Sequence, residues 1–329
     1  MKKRILLGGI ALLLIFIVSL CVKLLPQKET TEKHLRTIKL AEVTHSMFYA
    51  PLYVAMEAGY FADEGIAIDL ILTSGAHNVT AAVLSGDVEV GFCGSEAGIY
   101  VYNEGVKDYI QTFAGITKRD GQFIVAKQKY DNFTMQDLKG KTVLGGRRGG
   151  MPILNFMTAV RNAGVDIKSV NIDDSVDLTQ LSSAFLSGNA DFVVLFEPNA
   201  TKLEKEGLGY IVETVGKYSG EVPYTSLNAK KSFIKNNPEI ISGMRNAVNK
   251  GLKYVKDHDG KAIAKIITSQ FPDLSINDLI AIINRYKEAD SWLDNTNITE
   301  KSFETLEDTI IAGGFIKEYV PFADIIINE

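Results

Sequence analysis

Cysteine is almost absent from this sequence. Among 329 residues only Cys21 and Cys93 carry a thiol. Cys21 lies in an apolar leader, so the rest of the chain cannot close an intramolecular disulfide and must be held by its core. With 46% hydrophobic composition, a body of about 300 residues can bury one such core or two domain-sized ones. Histidine is also scarce: His34, His45, His77 and His258 are scattered without metal-ligand spacing. No G-x-S-x-G elbow, HExxH pair or CxxC occurs, which leaves nucleophilic and zinc chemistry without support. No repeat, low-complexity tract or Pro-rich linker interrupts the chain. Positive charge is short as well. The formal net charge is −5, and removal of residues 1–21 takes away Lys2, Lys3 and Arg4 and no acid, giving −8. A body this acidic argues against nucleic acid or anionic lipid as partner, although a small anion stays open because local groups set a site.

What the N-terminus does contain is an export signal. Lys2, Lys3 and Arg4 precede an apolar run over 5–22, which Lys23 and Pro26 end. The run is about as long as the shortest membrane-crossing helices, roughly 17 residues, so an uncleaved anchor is one outcome. Cys21 directly follows the apolar core and resembles the lipidation site of bacterial lipoproteins, with Leu20 standing where that pattern has Gly, Ala or Ser. Lipidation at Cys21, an uncleaved anchor and ordinary cleavage stay open. All three put the body outside the cytoplasm, at or near the outer face of the cytoplasmic membrane.

From Ile38 the hydrophobic pattern alternates. Apolar or β-branched runs at 38–43, 68–73 and 88–94 are separated by helical stretches at 50–60 and 77–85. The rhythm returns with strands at 123–128, 141–146, 170–174 and 191–196 around helices at 152–163 and 178–186. Helices then dominate at 239–257, 260–270, 275–289 and 301–311. Such βαβ order predicts an α/β protein with mostly parallel sheets covered on both faces.

The stretch 49–94 fixes the order further: a small-residue helix, "GYF", a strand, a loop with Ser74 and Gly75, and a helix running into "LSGDVEVGF". That order resembles the first lobe of periplasmic-type solute-binding proteins of ABC importers, in the branch handling nitrate, alkanesulfonates, taurine and thiamine-pyrimidine precursors. The resemblance spans about 290 residues. It implies a type II periplasmic-binding-protein fold with two lobes and a cleft. The expected divisions are a leader at 1–26, a tether at 27–36, one lobe from 37–118 and 223–329, and a second from 119–222. The chain would cross between lobes near 116–122 and 220–225. The implied role is a receptor that captures a small molecule and delivers it to a permease and its ATPase, as a monomer, with no cofactor, metal or catalytic residue.

Ligands in open α/β sheets sit beyond the carboxyl ends of the strands, and the resemblance places the pocket there. The loop after the first strand offers His45, Ser46, Phe48 and Tyr49, although the two rings also suit core packing. Ser74 and Gly75 open a helix, as a cap or as an anion site. Cys93, Gly94 and Ser95 end the third strand, with Cys93 also suited to a core position. Glu96, which follows, would count against a plain anion if it faced the pocket. The run Gly146, Arg147, Arg148, Gly149, Gly150, Met151 before Pro152 forms a glycine cradle at a helix start. It is not a phosphate-binding P-loop, because Met151 stands where that motif has Lys. Glu197 and Tyr224 complete the set. Backbone N–H groups and arginines favour sulfonate, nitrate or carboxylate, with Arg147→Ala then weakening the anion by more than about tenfold. Glu96, Glu197, His45 and the rings favour a nitrogen heterocycle, which weights the choice toward an organic ligand.

Two other classes are weighed. A membrane-tethered sensor acting through a separate partner shares every feature above. The thiamine-pyrimidine synthase resembles these receptors but uses a CCCFC segment that this chain lacks.

Overall fold

The computed structural model describes residues 35–328; the leader at 1–26, Cys21 and the tether up to residue 34 lie outside the described residues. The described residues form ten strands: β1 (Arg36–Glu42), β2 (Ile66–Leu72), β3 (Val90–Cys93), β4 (Ile110–Thr117), β5 (Phe123–Ala126), β6 (Thr142–Leu144), β7 (Asn171–Asp173), β8 (Phe192–Leu195), β9 (Tyr210–Thr214) and β10 (Thr225–Lys230). Helices of seven residues or more are α1 (Ala50–Glu57), α2 (Ala76–Ser85), α3 (Glu96–Asn103), α4 (Met151–Asn162), α5 (Leu181–Ser187), α6 (Asn199–Lys205), α7 (Pro238–Asp257), α8 (Gly260–Ile267), α9 (Ile276–Glu288) and α10 (Glu300–Ala312).

The strands make two five-stranded sheets, ordered β2-β1-β3-β10-β4 and β7-β6-β8-β5-β9. In the first, β1 is parallel to β2 and β3, and β10 runs antiparallel between β3 and β4. In the second, β6 is parallel to β7 and β8, whereas β5 runs antiparallel between β8 and β9. Each sheet therefore has a single strand reversed against the other four. The central strands β3 and β8 are buried at every position, which accounts for their unbroken apolar sequences.

Three strands carry no such signal, and the sequence pattern did not predict them: β4, β9 and β10. In β4 and β10 the apolar period is broken by Gln111, Thr112, Ser226 and Asn228, all buried. Each of these polar groups finds a partner: the Thr112 hydroxyl donates to Asn228 Oδ1 across the sheet at 2.6 Å, Ser226 pairs with Ser95, and the Gln111 amide donates to Asp324 O.

The helical part after β10 wraps both sheets. Asp259, Ser275 and Thr299 cap α8, α9 and α10 by accepting from backbone N–H groups inside the first turn. Tyr286 of α9 sits where the sheets meet, its ring 5.3 Å from Phe48 and 5.5 Å from Phe123. The chain leaves the first sheet after Thr117 and returns to it at Thr225. The two crossing segments are hydrogen-bonded to each other: Val222 N–H donates to Lys118 O at 2.9 Å and Tyr224 N–H to Thr117 O at 3.2 Å. Among the described residues no helix is long and apolar enough to cross a membrane.

Candidate functional site

A cavity of about 640 Å³ lies between the two sheets at the carboxyl ends of their strands. That volume falls in the range of about 300–1,000 Å³ usual for small-molecule sites. From the first sheet come Val43 and Thr44 after β1, the segment after β2 that starts α2, and Gly94 and Glu96 after β3. From the second come the glycine-rich turn after β6, the loop before α5, and Phe196 after β8. Tyr224 on the returning crossing and Phe315 after α10 close it.

The cavity brings together Tyr49, Ser74, Gly75, Gly94, Arg147, Arg148, Gly149, Gly150, Met151 and Tyr224 from the expected set. The others stand outside its lining, each for a visible reason. His45 is turned to Glu42, 2.7 Å from Nδ1, and to the Gln270 carbonyl, 2.9 Å from Nε2. The Ser46 hydroxyl donates to Glu197 O at 2.6 Å. Phe48 is packed among Tyr49, Phe196, Tyr224 and Tyr286. Cys93 is buried, and that burial pushes its thiol well up, so it behaves as an inert core residue. Ser95 bonds Ser226 at 3.1 Å. Gly146 turns the chain into the cradle without lining the cavity. Glu197 is fully buried and ion-paired to Arg285.

Glu96 has the most distinctive chemistry in the lining. It is 3% exposed, and its carboxyl folds back so closely over Gly94 that a Cβ at that glycine would lie 1.8 Å from Oε2. A side chain at that position would have to displace the Glu96 carboxyl. Oε2 has no hydrogen-bond partner among the described residues. Burial pushes the carboxyl up to about 8, so it is neutral at pH 7. A neutral carboxyl presents one donor and one acceptor side by side. Asp120 on the outgoing crossing is also buried and pushed up to about 8 by that burial. One Asp120 oxygen accepts from Gln122 N–H at 2.7 Å, and the Tyr224 hydroxyl lies beside the same carboxyl. Asp120, Phe196 and Phe315 escaped the sequence reading because they sit in segments without a motif. Tyr100 was missed too, although a signal for it existed: it stands one helical turn after Glu96, on the same face of α3.

Of the two arginines, only Arg147 has side-chain partners among the described residues. Arg147 Nη1 lies 3.4 Å from Asp177 Oδ1 and 3.4 Å from His77 Nε2, and its side chain is 57% exposed. The turn that carries it is pinned to the segment after β7, with Gly145 N–H donating to Asp173 O and Arg148 N–H to Asp174 O.

A second set of contacts joins the sheets behind the cavity. Glu197 N–H donates to the Tyr286 hydroxyl at 3.1 Å, and its carboxylate accepts from Thr201 N–H at 2.8 Å, from the Thr201 hydroxyl and from Arg285. The Trp292 indole N–H donates to Phe48 O at 2.7 Å.

Two α/β lobes with one reversed strand each, joined by paired crossings around an interlobe cavity, define the two-lobe periplasmic-binding-protein fold. The alkanesulfonate-binding protein SsuA of Xanthomonas axonopodis pv. citri, solved with MOPS bound, shares this fold with a TM-score of 0.70 at 12% identity, over 89% of this chain and 98% of that one. The chain belongs to the family described as NMT1/THI5 like, which matches residues 47–262. YtlA of Bacillus subtilis (strain 168) is 36% identical over 320 residues, 97% of this chain and 93% of YtlA. The formylaminopyrimidine-binding protein of Halalkalibacterium halodurans is 24% identical over 224 residues, 67% of this chain and 66% of that protein.

Proposed function

We propose that this protein is the extracytoplasmic receptor of an ABC importer for a small nitrogen heterocycle with an amino group beside a ring nitrogen. The observation that carries the ligand class is Glu96. Held neutral in the cavity wall, it can donate O–H to a ring nitrogen and accept from the adjacent amino N–H, a pairing that an aminopyrimidine edge completes on both sides. The lobes close on the solute by bending at the paired crossings, because a ligand touching both lobes binds the closed form preferentially. The closed form then docks on the permease. The protein acts as a tethered monomer without catalysis, metal or cofactor. The name of the Halalkalibacterium relative points the same way.

Isothermal titration with 4-aminopyrimidine tests this. Glu96→Ala is expected to weaken binding by about tenfold to a hundredfold, as for loss of a buried paired hydrogen bond, whereas Glu96→Gln, which keeps a donor beside an acceptor, stays within a few fold of wild type. Greater thermal stabilisation by an alkanesulfonate or nitrate than by any aminopyrimidine would overturn the reading.

One observation favours a sulfonate instead: Arg147 and Arg148 border the cavity with Ser74 and Gly75 at the start of α2. Asp177 already shares the Arg147 charge, however, and exposed pairs of this kind contribute about 1 kcal/mol or less. Arg147→Ala is therefore expected to change affinity for 4-aminopyrimidine by less than about fivefold. A loss beyond about tenfold for an alkanesulfonate, in a protein that binds the sulfonate more tightly than 4-aminopyrimidine, would restore the anion reading.

A further inference from the structure

The mouth of the cavity carries an aromatic side chain that belongs to neither sheet. Phe315 follows α10 and lines the cavity together with Tyr100 and Gly149. It is 38% exposed, whereas Tyr49, Phe92 and Phe196 nearby are buried. An apolar ring left partly open at a cavity mouth forgoes part of the burial that would stabilise it, so what keeps it there is informative.

Four contacts hold it. Phe315 N–H donates to Ile310 O at 3.1 Å, extending the end of α10. On one side the ring lies against Gly149, where φ is +85° and a Cβ would stand 2.9 Å from Cε1. On the other side Gly313 leaves room, since a Cβ there would lie 3.1 Å from Phe315 Cδ2 and 2.5 Å from Leu154 Cδ2. Tyr100 approaches with ring centroids 6.4 Å apart and planes inclined by 48°, and its hydroxyl donates to Gly149 O at 3.3 Å. Two aromatic rings, one from each side of the mouth, are thus fixed around a glycine backbone.

We propose that Phe315 is a ligand-contacting, specificity-determining residue that covers the flat face of the bound solute and selects ring compounds over ringless ones with the same polar edge. The inference rests on the reading of Glu96: Glu96 reads the edge of the ring and Phe315 its face. It extends the site to the segment after α10, so that a bound solute touches the first lobe, the second lobe and the C-terminal segment together. Offset or edge contact between rings accounts for about a tenfold preference.

The test uses the full chain and two neutral probes, 4-aminopyrimidine and acetamide, which share an acceptor beside an N–H donor but differ in having a ring. Phe315→Ala is expected to weaken 4-aminopyrimidine by about tenfold and to leave acetamide binding, direct or by competition, unchanged. Phe315→Tyr restores the affinity and Phe315→Leu does not, which separates a ring contact from simple plugging of the mouth. Thermal midpoints of the ligand-free variants establish that each is folded. Equal loss for both probes, or full affinity in Phe315→Ala, overturns the proposal while leaving Glu96 as the anchor. A wild-type protein that binds neither probe overturns the Glu96 reading and this one with it.

Discussion

Arg285→Ala is expected to lower the free energy of unfolding by about 3 kcal/mol at pH 7, because it strands a buried carboxylate. Glu197 is inaccessible to solvent, and its remaining partners, Thr201 N–H and the Thr201 hydroxyl, are neutral. Burial already raises the Glu197 carboxyl above its ordinary range despite the attraction of Arg285 and the Thr201 bonds. Without the arginine, burial goes unopposed by any cation, and the group must either stay charged at high cost or take up a proton. The guanidinium also lies 5.5 Å from the Phe123 ring centroid and 3.3 Å from Glu204, so the loss is not confined to one pair. In a protein of this size the thermal midpoint should drop by roughly 6–10 °C. Calorimetry checks it, and Glu197→Gln added to Arg285→Ala should recover part of the loss by removing the stranded charge. A drop below about 1 kcal/mol would mean that the pair behaves as an exposed one.

Glu96→Gln is expected to stabilise the ligand-free protein, and increasingly so as pH rises. Between about 4.5 and 8 the folded protein keeps the Glu96 proton while the unfolded chain has released it, so the folded state binds more protons and stability falls with rising pH. At pH 7 that loss is on the order of 3 kcal/mol. Asp120, raised from 3.8 to about 8 by burial, acts in the same direction. So does His45. Burial works to lower its value, but the bonds to Glu42 and to the Gln270 carbonyl prevail and raise it above 6.5. Its contribution is complete below 6.5 and disappears as pH climbs through the raised value. The wild-type midpoint should therefore be higher at pH 6 than at pH 8.5, and Glu96→Gln should narrow that gap. The idea fails if the wild-type midpoint does not move between those values, or if Glu96→Gln is the less stable protein at pH 8.5.

How much was legible before the structure depended on what hid each signal. The strands β1, β3, β6 and β8 were readable because a covered parallel sheet demands continuous apolar residues, and helices α4, α7, α9 and α10 because of their spacing and first-turn signals. The strands β4 and β10 were not, since Thr112, Asn228 and Ser226 find their partners across the sheet rather than along the chain. The same limit applied to the site. Loops following readable strands supplied Ser74, Gly94 and the Gly149 turn. His45, Ser46 and Glu197 sit in equally polar loops, but their side chains are committed to Glu42, to a backbone carbonyl and to Arg285. A sequence lists polar groups and not their partners. Phe315 lay beyond reach because its place depends on how α10 returns across two lobes.

The position of β10 between β3 and β4 also governs the order in which the molecule can be completed during synthesis. Everything that emerges before Thr225 includes both neighbours of that strand but not the strand itself. A nascent chain that has already made the whole second sheet thus holds two unpaired strand edges in its first, an arrangement prone to pairing with other chains. Truncation just before Thr225 removes far more than a C-terminal third. It leaves a slot that only the missing strand fills, and the first lobe stays unfinished until almost the entire second one has been translated.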